Sequence, residues 1–160
     1  MQRGGGLLVG LSIALVACSS GPAKDPGGRV ACLRVPNGSE MTRKQLDDLG
    51  EYVKKYGAKG LAWIRIDDLA KGREGLTSPI VKFLDDAAIE GIFKAVNAQQ
   101  GDVLFFGAGP YKTVSDFMGA LRLKVAKDMG LVQNAWKPLW VTDFPMFEYD
   151  ADEKRYVALH

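Results

Sequence analysis

An α+β fold is what this sequence predicts, and three observations carry it. Short apolar runs of strand length alternate with stretches whose apolar residues recur at helical spacing. Gly and Pro cluster between these stretches. After the last helical stretch come two strand-like segments with no helix between them. The order reads β-α-β-(α)-α-β-α and then a β-hairpin. The chain of 160 residues suffices for one domain with a hydrophobic core. The strands and helices form a compact layer between about 29 and 129, with the hairpin beyond 131 outside it.

Each element has its own local signal. Residues 21–28 are rich in Pro and Gly and read as a linker. Val30–Val35 is a strand closed by the turn Pro36-Asn37-Gly38. Thr42 or Ser39 caps a helix running to about Tyr56, with Leu46, Leu49, Val53 and Tyr56 on one face. Gly57 ends that helix. Leu61–Ile66 is the second strand, followed by a polar loop over Asp67–Leu76. Pro79 suits the first turn of a short helix. Asp85 or Asp86 caps the next helix, which places Ile89, Ile92, Phe93 and Val96 together.

Val103–Phe106 is an apolar strand, and Gly107-Ala108-Gly109-Pro110 reads as a turn. A longer helix follows to about Met129, with Val114, Phe117, Met118, Leu121 and Val125 toward the core and Gly130 closing it. Leu139–Glu148 and Tyr156–Leu159 make a hairpin joined through Asp150-Ala151-Asp152-Glu153. A lone hairpin is marginal in water. This one is expected to lie on a sheet supplied by other residues, and the strand-like ending at His160 is expected to continue into further chain.

Composition narrows the function classes. Hydrophobic residues are 47% and charged residues 25%, as in globular proteins. Twenty-one basic against 19 acidic residues leave a net charge of +2, too balanced to argue nucleic-acid binding from charge alone. Two cysteines, Cys18 and Cys32, and one histidine, His160, cannot build a closed zinc site, so no metal site is expected. A Cys18–Cys32 disulfide is conceivable, but nothing else suggests a disulfide scaffold, and a reduced, cytoplasmic chain is the simpler reading.

The first residues admit two readings. Arg3 followed by the apolar run Leu7–Ala17 has the form of an export signal, and that run is too short for a membrane-spanning helix of ~20 residues. Leu15-Val16-Ala17-Cys18 then has the form of a lipobox whose Cys18 would be lipidated. A single acyl chain binds a membrane only marginally, so a true lipoprotein carries more than one. The other reading is an apolar leader created by a wrong start or a shifted frame upstream of a genuine domain.

Most candidate chemistry weighs toward structure. Gly107-Ala108-Gly109 stands between strand and helix, where a phosphate loop would sit, but position 112 is Lys instead of the third glycine and no Lys-Ser/Thr follows. The pairs Asp47-Asp48, Asp67-Asp68 and Asp85-Asp86 are sequence neighbours that point apart, as solvated or capping residues do. Arg122, Lys124 and Lys127 read as a solvated helix face, part of which could track a phosphate backbone. Trp63, Trp136 and Trp140 read as buried strand anchors, with base stacking as the alternative. Asp143 falls on the same strand side as Leu139 and Val141, which fits either a buried or cleft-facing carboxylate or a position near a turn. His160 is the only side chain with an ordinary pKa near neutrality, at a terminus where disorder is common. No Ser-His-Asp or Cys-His arrangement can be assembled.

Several segments in register carry a resemblance. They are Arg29–Pro36, Thr42–Gln45, Tyr56–Trp63, Ser78–Phe83, Gly101–Ala108, Gly119–Lys124 and Trp140–Glu148. In this order they resemble bacterial-type aspartyl-tRNA synthetase, the class II aspartate–tRNA ligase, from about Ser20 to His160. The earlier part resembles its inserted GAD domain, and the end resembles the return of the chain into the class II catalytic sheet. The resemblance implies a non-family leader over 1–19, a linker over 20–28, a GAD-like insertion domain with a mixed or antiparallel sheet over 29–130, and a partial catalytic domain over 131–160.

That family joins aspartate to its tRNA with ATP and Mg2+, through an aspartyl-adenylate, as a cytoplasmic homodimer. His160 matches the first His of its His-His-Pro-Phe stretch, which helps bind aspartate. No catalytic or ATP-binding residue carries over. The anticodon-binding barrel, the class II arginine segment and the Gly-Leu-Asp-Arg segment of the family have no counterpart in these residues, so the resemblance implies an internal fragment that is inactive alone. Family-like sequence begins just after Cys18, which favours the frame-artefact reading of 1–19, with no lipid on Cys18 and no stable membrane partner. Two alternatives stand beside it. One is a GAD-type tRNA-associated binding module as in the B subunit of tRNA amidotransferase, against which Asp143–Glu148 argues. The other is a small envelope lipoprotein anchored through Cys18.

Overall fold

A computed structural model describes residues 11–12, 27–132, 135–150 and 152–159. The strands are β1 (Leu11–Ser12), β2 (Gly28–Val35), β3 (Ala62–Ile66), β4 (Leu76–Thr77), β5 (Val103–Pro110), β6 (Phe147–Asp150) and β7 (Arg155–Ala158). The helices are α1 (Arg43–Lys54), α2 (Asp86–Val96) and α3 (Tyr111–Asp128), with 3-10 turns at Gly38–Glu40, Leu69–Gly75 and Val81–Phe83. The expected α+β class is what forms. Five strands make one sheet in the order β1-β2-β5-β3-β4, every pairing in it is antiparallel, and β6 and β7 form a separate hairpin.

Helices cover both faces of the sheet, and β5 is the reason both faces are apolar. Val103 and Phe105 point into one core with Leu33, Val35 and Trp63, under Leu46, Leu49 and Val53 of α1 and Val114, Phe117, Leu121 and Val125 of α3. Leu104 and Phe106 point into the other, with Ile64, Ile66 and Val81, under Ile89 and Ile92 of α2. A strand buried on both faces reads as an unbroken apolar run, which Val103–Phe106 is.

The helix starts follow the capping signals. Thr42, not Ser39, caps α1. Its hydroxyl accepts from the Gln45 amide at 3.3 Å while the Gln45 side chain accepts from the Thr42 amide at 2.8 Å, a complete capping box. The helix ends at Lys54, short of Tyr56, whose side chain is exposed and hydrogen-bonded to the Tyr52 hydroxyl at 3.1 Å. Asp85 caps α2 by accepting from the Ala88 amide at 2.6 Å.

Three expectations are corrected. Gly107–Pro110 is not a turn. It continues β5, pairing Ala31 with Gly107, Val30 with Ala108, Arg29 with Gly109 and Gly28 with Pro110. The residues are small because α3 doubles straight back over them: a Cβ on Gly107 would lie 2.6 Å from Phe117 Cζ and 2.9 Å from Met118 Cγ. Second, Leu76 closes a structured loop. Gly75 carbonyl accepts from the Asp67 and Asp68 amides at 2.9 and 3.0 Å, and Leu76–Thr77 then pairs with Arg65–Ile66 of β3. Pro79 stands ahead of the Val81–Phe83 turn, outside its first turn. Third, the first limb of the hairpin is only Phe147–Asp150. Pro138 and Pro145 lack an N–H for a ladder, and Asp143 turns left-handed at φ 53°, so residues 139–146 cannot run as one strand.

Cys32 is the one free thiol among the described residues and is buried in the core under α2. Burial pushes its pKa up from an ordinary 9.0 to about 12. The folded value lies above the unfolded one, so burial of the protonated thiol carries no such penalty below pH 9, and stability falls as pH rises from 9 toward 12. Native Cys32 should therefore resist iodoacetamide at pH 8 and react fully in denaturant, read by peptide mass at that site. Alkylation in the native state as fast as in denaturant would contradict this packing.

Candidate functional site

The helix α3 places its side chains in two grooves, one on each flank. Against β2 it closes a groove of about 230 Å³ lined by Arg29, Leu33, Ser115, Met118, Gly119 and Arg122, among others. Ser115, Gly119 and Arg122 recur at i, i+4 and i+7 and so share one helix face. Arg29, from the start of β2, donates to Ser115 Oγ at 3.1 Å and lies 4.8 Å from the centre of the Tyr111 ring. Arg122 is exposed and forms no ion pair or hydrogen bond among the described residues.

The other groove, about 170 Å³, lies against α1 and is lined by Met41, Gln45, Asp48, Leu49, Lys124 and Asp128, among others. Lys124 is already committed there, 2.5 Å from Asp128. The sequence row Arg122, Lys124 and Lys127 is thus not one face. Two residues along a helix is about 200° of rotation, which sends Arg122 toward β2 and Lys124 toward α1.

A second exposed region is the segment from 135 to 159. Trp136 and Trp140 are 100% and 97% exposed, and Leu139, Met146, Phe147 and Tyr156 are exposed beside them. Of the three tryptophans only Trp63 is a buried anchor, and the guanidinium of Arg43 sits 5.6 Å from its ring centre. Asp143 is exposed at a bend, so it is not the buried carboxylate that a straight strand would have made of it. An exposed ion pair at 2.7 Å links Lys112 at the start of α3 to Glu148 of β6.

The acidic pairs act locally. Asp68 caps the 3-10 turn by accepting from Ala70 N, and Lys71 beside it holds its carboxyl below the usual range. Asp47 pairs with Arg43, and Asp86 with Arg73. The same Arg73 donates to the carbonyls of Val81 and Leu84 at 2.8 and 2.6 Å, which fixes the turn carrying the exposed Phe83. His160 and Cys18 lie outside the described residues. Among the described residues, no group of three or more His, Cys, Asp or Glu could hold a metal ion, and no helix is long and apolar enough to cross a membrane.

One polar site went unnoticed in the sequence. Asp102 is 2% exposed, accepts from Arg34 Nε at 2.5 Å and from the Gln99 amide at 2.8 Å, and ties β2 to the loop entering β5. A lone Asp after Gly101 looks like any loop residue. Only the facing Arg34, 68 positions earlier, shows that it is buried and paired.

The profile of the GAD domain matches residues 20–118, more than half of the chain. This chain belongs to the GAD domain family. The matched span runs from before β2 through Phe117 and Met118 of α3, and so takes in the whole five-strand sheet except β1. A relative extends the likeness further. Over 141 residues, 88% of this chain, it is 56% identical to an aspartate–tRNA ligase of Stenotrophomonas maltophilia (strain K279a). The GAD-family chain spans 24% of that protein's length, about a quarter.

Proposed function

We infer that this GAD-family chain works as part of an aspartate–tRNA ligase. Residues 29–130 serve as the inserted GAD domain, and 131–160 as the part of the class II catalytic domain into which the chain returns. The observation that carries this reading is the 56% identity to a ligase over 88% of the chain. It favours the ligase over an amidotransferase-type module, and the exposed Trp136, Leu139 and Trp140 fit a segment that packs against further chain.

In that setting the whole enzyme joins aspartate to tRNA in the cytoplasm, as a homodimer, with ATP and Mg2+ supplying activation of the carboxyl group. The described residues do not fit that group: they hold no metal-binding cluster, and Gly107-Ala108-Gly109 is sheet and not a phosphate loop. In such a ligase the residues that hold ATP and Mg2+ would come from the remaining three-quarters of the enzyme. His160 would contact the substrate aspartate. This reading places residues 1–19 outside the ligase-like sequence, since the GAD match begins at residue 20.

The test exchanges the matching quarter of the Stenotrophomonas ligase for residues 20–160 and measures charging of tRNA with aspartate. Charging is expected to survive the exchange. It should fall about 10- to 100-fold in kcat/KM on His160→Ala, the worth of a hydrogen bond to a charged group. The 160-residue chain alone should give ATP–pyrophosphate exchange at background. A folded, dimeric chimera that cannot charge tRNA would overturn the assignment.

A further inference from the structure

The strand β2 has a long outer edge with a short cover. One side of it pairs with β5 over all eight of its residues. The other side meets only the two residues of β1, with Leu11 opposite Cys32 and Ser12 opposite Ala31. Most of that side has no sheet partner among the described residues, and an open strand edge is a template for another strand. The sequence around β1 has strand character. From Val9 to Ala14 larger apolar residues alternate with small ones, Val9, Leu11 and Ile13 against Gly10, Ser12 and Ala14. That is the strand period of two, and Gly10 is a poor helix former. No Pro and no charge interrupts Leu7–Ala17. All of this stands before the GAD match, which begins at residue 20, so none of it rests on the ligase reading.

We propose that the outer edge of β2 is a strand-docking site whose occupant is this chain's own leader, residues 8–15, laid antiparallel along it. The register of Leu11 on Cys32, carried in both directions, sets Leu8 opposite Val35 and Leu15 opposite Gly28, the two ends of β2. The apolar run thus matches the edge in length as well as in period. Residues opposed across a ladder share one face of the sheet. Gly10, Ser12 and Ala14 fall opposite Leu33, Ala31 and Arg29, which line the groove of about 230 Å³ beside α3. Small residues therefore take the positions beside the helix, and the larger Val9, Leu11 and Ile13 take the other face. A second copy of the chain could also pair with this edge, but the leader is tethered to β2 through residues 16–27, which gives it a far higher effective concentration. Docked in this way the leader blocks edge-to-edge pairing between chains.

Disulfide trapping in the full chain tests the register. With Cys18→Ser removing the competing thiol, Leu11→Cys and Ser12→Cys are each refolded and equilibrated in a glutathione redox buffer, and linkage to Cys32 is read by peptide mass. Directly opposed strand residues have Cα atoms about 4.5–5.5 Å apart, within the span of a disulfide. Leu11→Cys is expected to link to Cys32 within the monomer at least about tenfold more than Ser12→Cys, which stands one residue on and on the opposite face. A second measurement does not depend on Cys32. Along an antiparallel edge alternate residues turn their N–H toward the partner, so Leu11→Pro combined with Ser12→Pro must remove one donor that faces β2. Hydrogen exchange over residues 28–35 should then rise about tenfold or more, while α1 keeps its protection.

Equal linkage from the two cysteine variants, or none from Leu11→Cys, would mean that the leader does not lie in this register and would overturn the proposal. Linkage between two chains instead of within one would give the edge to a second copy and overturn it as well. Unchanged exchange over residues 28–35 in the proline variant would do the same. So would a parent chain whose intact mass, after expression in bacteria, lacks residues 1–17, because the leader would then be a cleaved export signal. None of these outcomes touches the chimera, which begins at residue 20 and decides the ligase reading separately.

Discussion

Asp102→Ala is expected to cost the fold about 3 kcal/mol, the lower end of what breaking a buried ion pair costs. The carboxylate is 2% exposed and accepts from both Arg34 Nε and the Gln99 amide. Removing it strands the guanidinium and leaves a backbone N–H without its acceptor. Arg34 is 22% exposed, so water recovers part of the loss. The backbone around the site raises the stakes. Ile66 N donates to the Asp102 carbonyl and Gly101 N to the Ile66 carbonyl, so a shift at 102 pulls on β3 as well as β2. Urea denaturation of Asp102→Ala, Arg34→Ala and the double variant should show the two losses adding to more than the double variant's own. A loss under about 1 kcal/mol for Asp102→Ala would mean the pair is dispensable to the fold.

Gly107→Val should destabilise by about 3 kcal/mol, the upper range for overpacking a filled core. Even the first carbon of the new side chain falls 2.6 Å from Phe117 Cζ and 2.7 Å from Phe117 Cε2, and Phe117 is itself buried. Neither side can yield without moving α3 off the sheet. Phe117→Ala alone leaves a cavity and costs a similar amount. Combined with Gly107→Val it should cost clearly less than the two added together, because the valine fills part of that cavity. Strict additivity in thermal or urea melts would show that the close approach of α3 at Gly107 is wrong.

Both positions show what kind of information a linear reading holds. The helix starts were legible because capping is local: Thr42 and Gln45, or Asp85 and Ala88, are three residues apart and recognise each other before any tertiary contact exists. The inward faces of α1, α2 and α3 were legible for the same reason, since the helical period alone places Leu46, Leu49 and Val53, or Val114, Phe117 and Leu121, together. The resemblance to a ligase with a GAD insertion was legible because it rests on many short segments in order, which the GAD match over 20–118 and the 56% identity then showed.

Contacts between distant segments were not legible. Gly107–Pro110 has the composition of a turn, and it is strand only because Gly28–Ala31 lies alongside and offers its hydrogen bonds. Trp136 and Trp140 look like anchors, and they are exposed because no described element packs over them. Arg122 and Lys124, two residues apart, look like one charged row in the sequence. The rotation of α3 gives Arg122 to the β2 groove and Lys124 to Asp128. Asp102 carries no local signal at all. Period, capping and turn chemistry act over a few residues and are written in the sequence. Burial, pairing and charge neutralisation depend on which distant segment arrives beside a residue, and that is settled only when β2, β5 and α3 pack together.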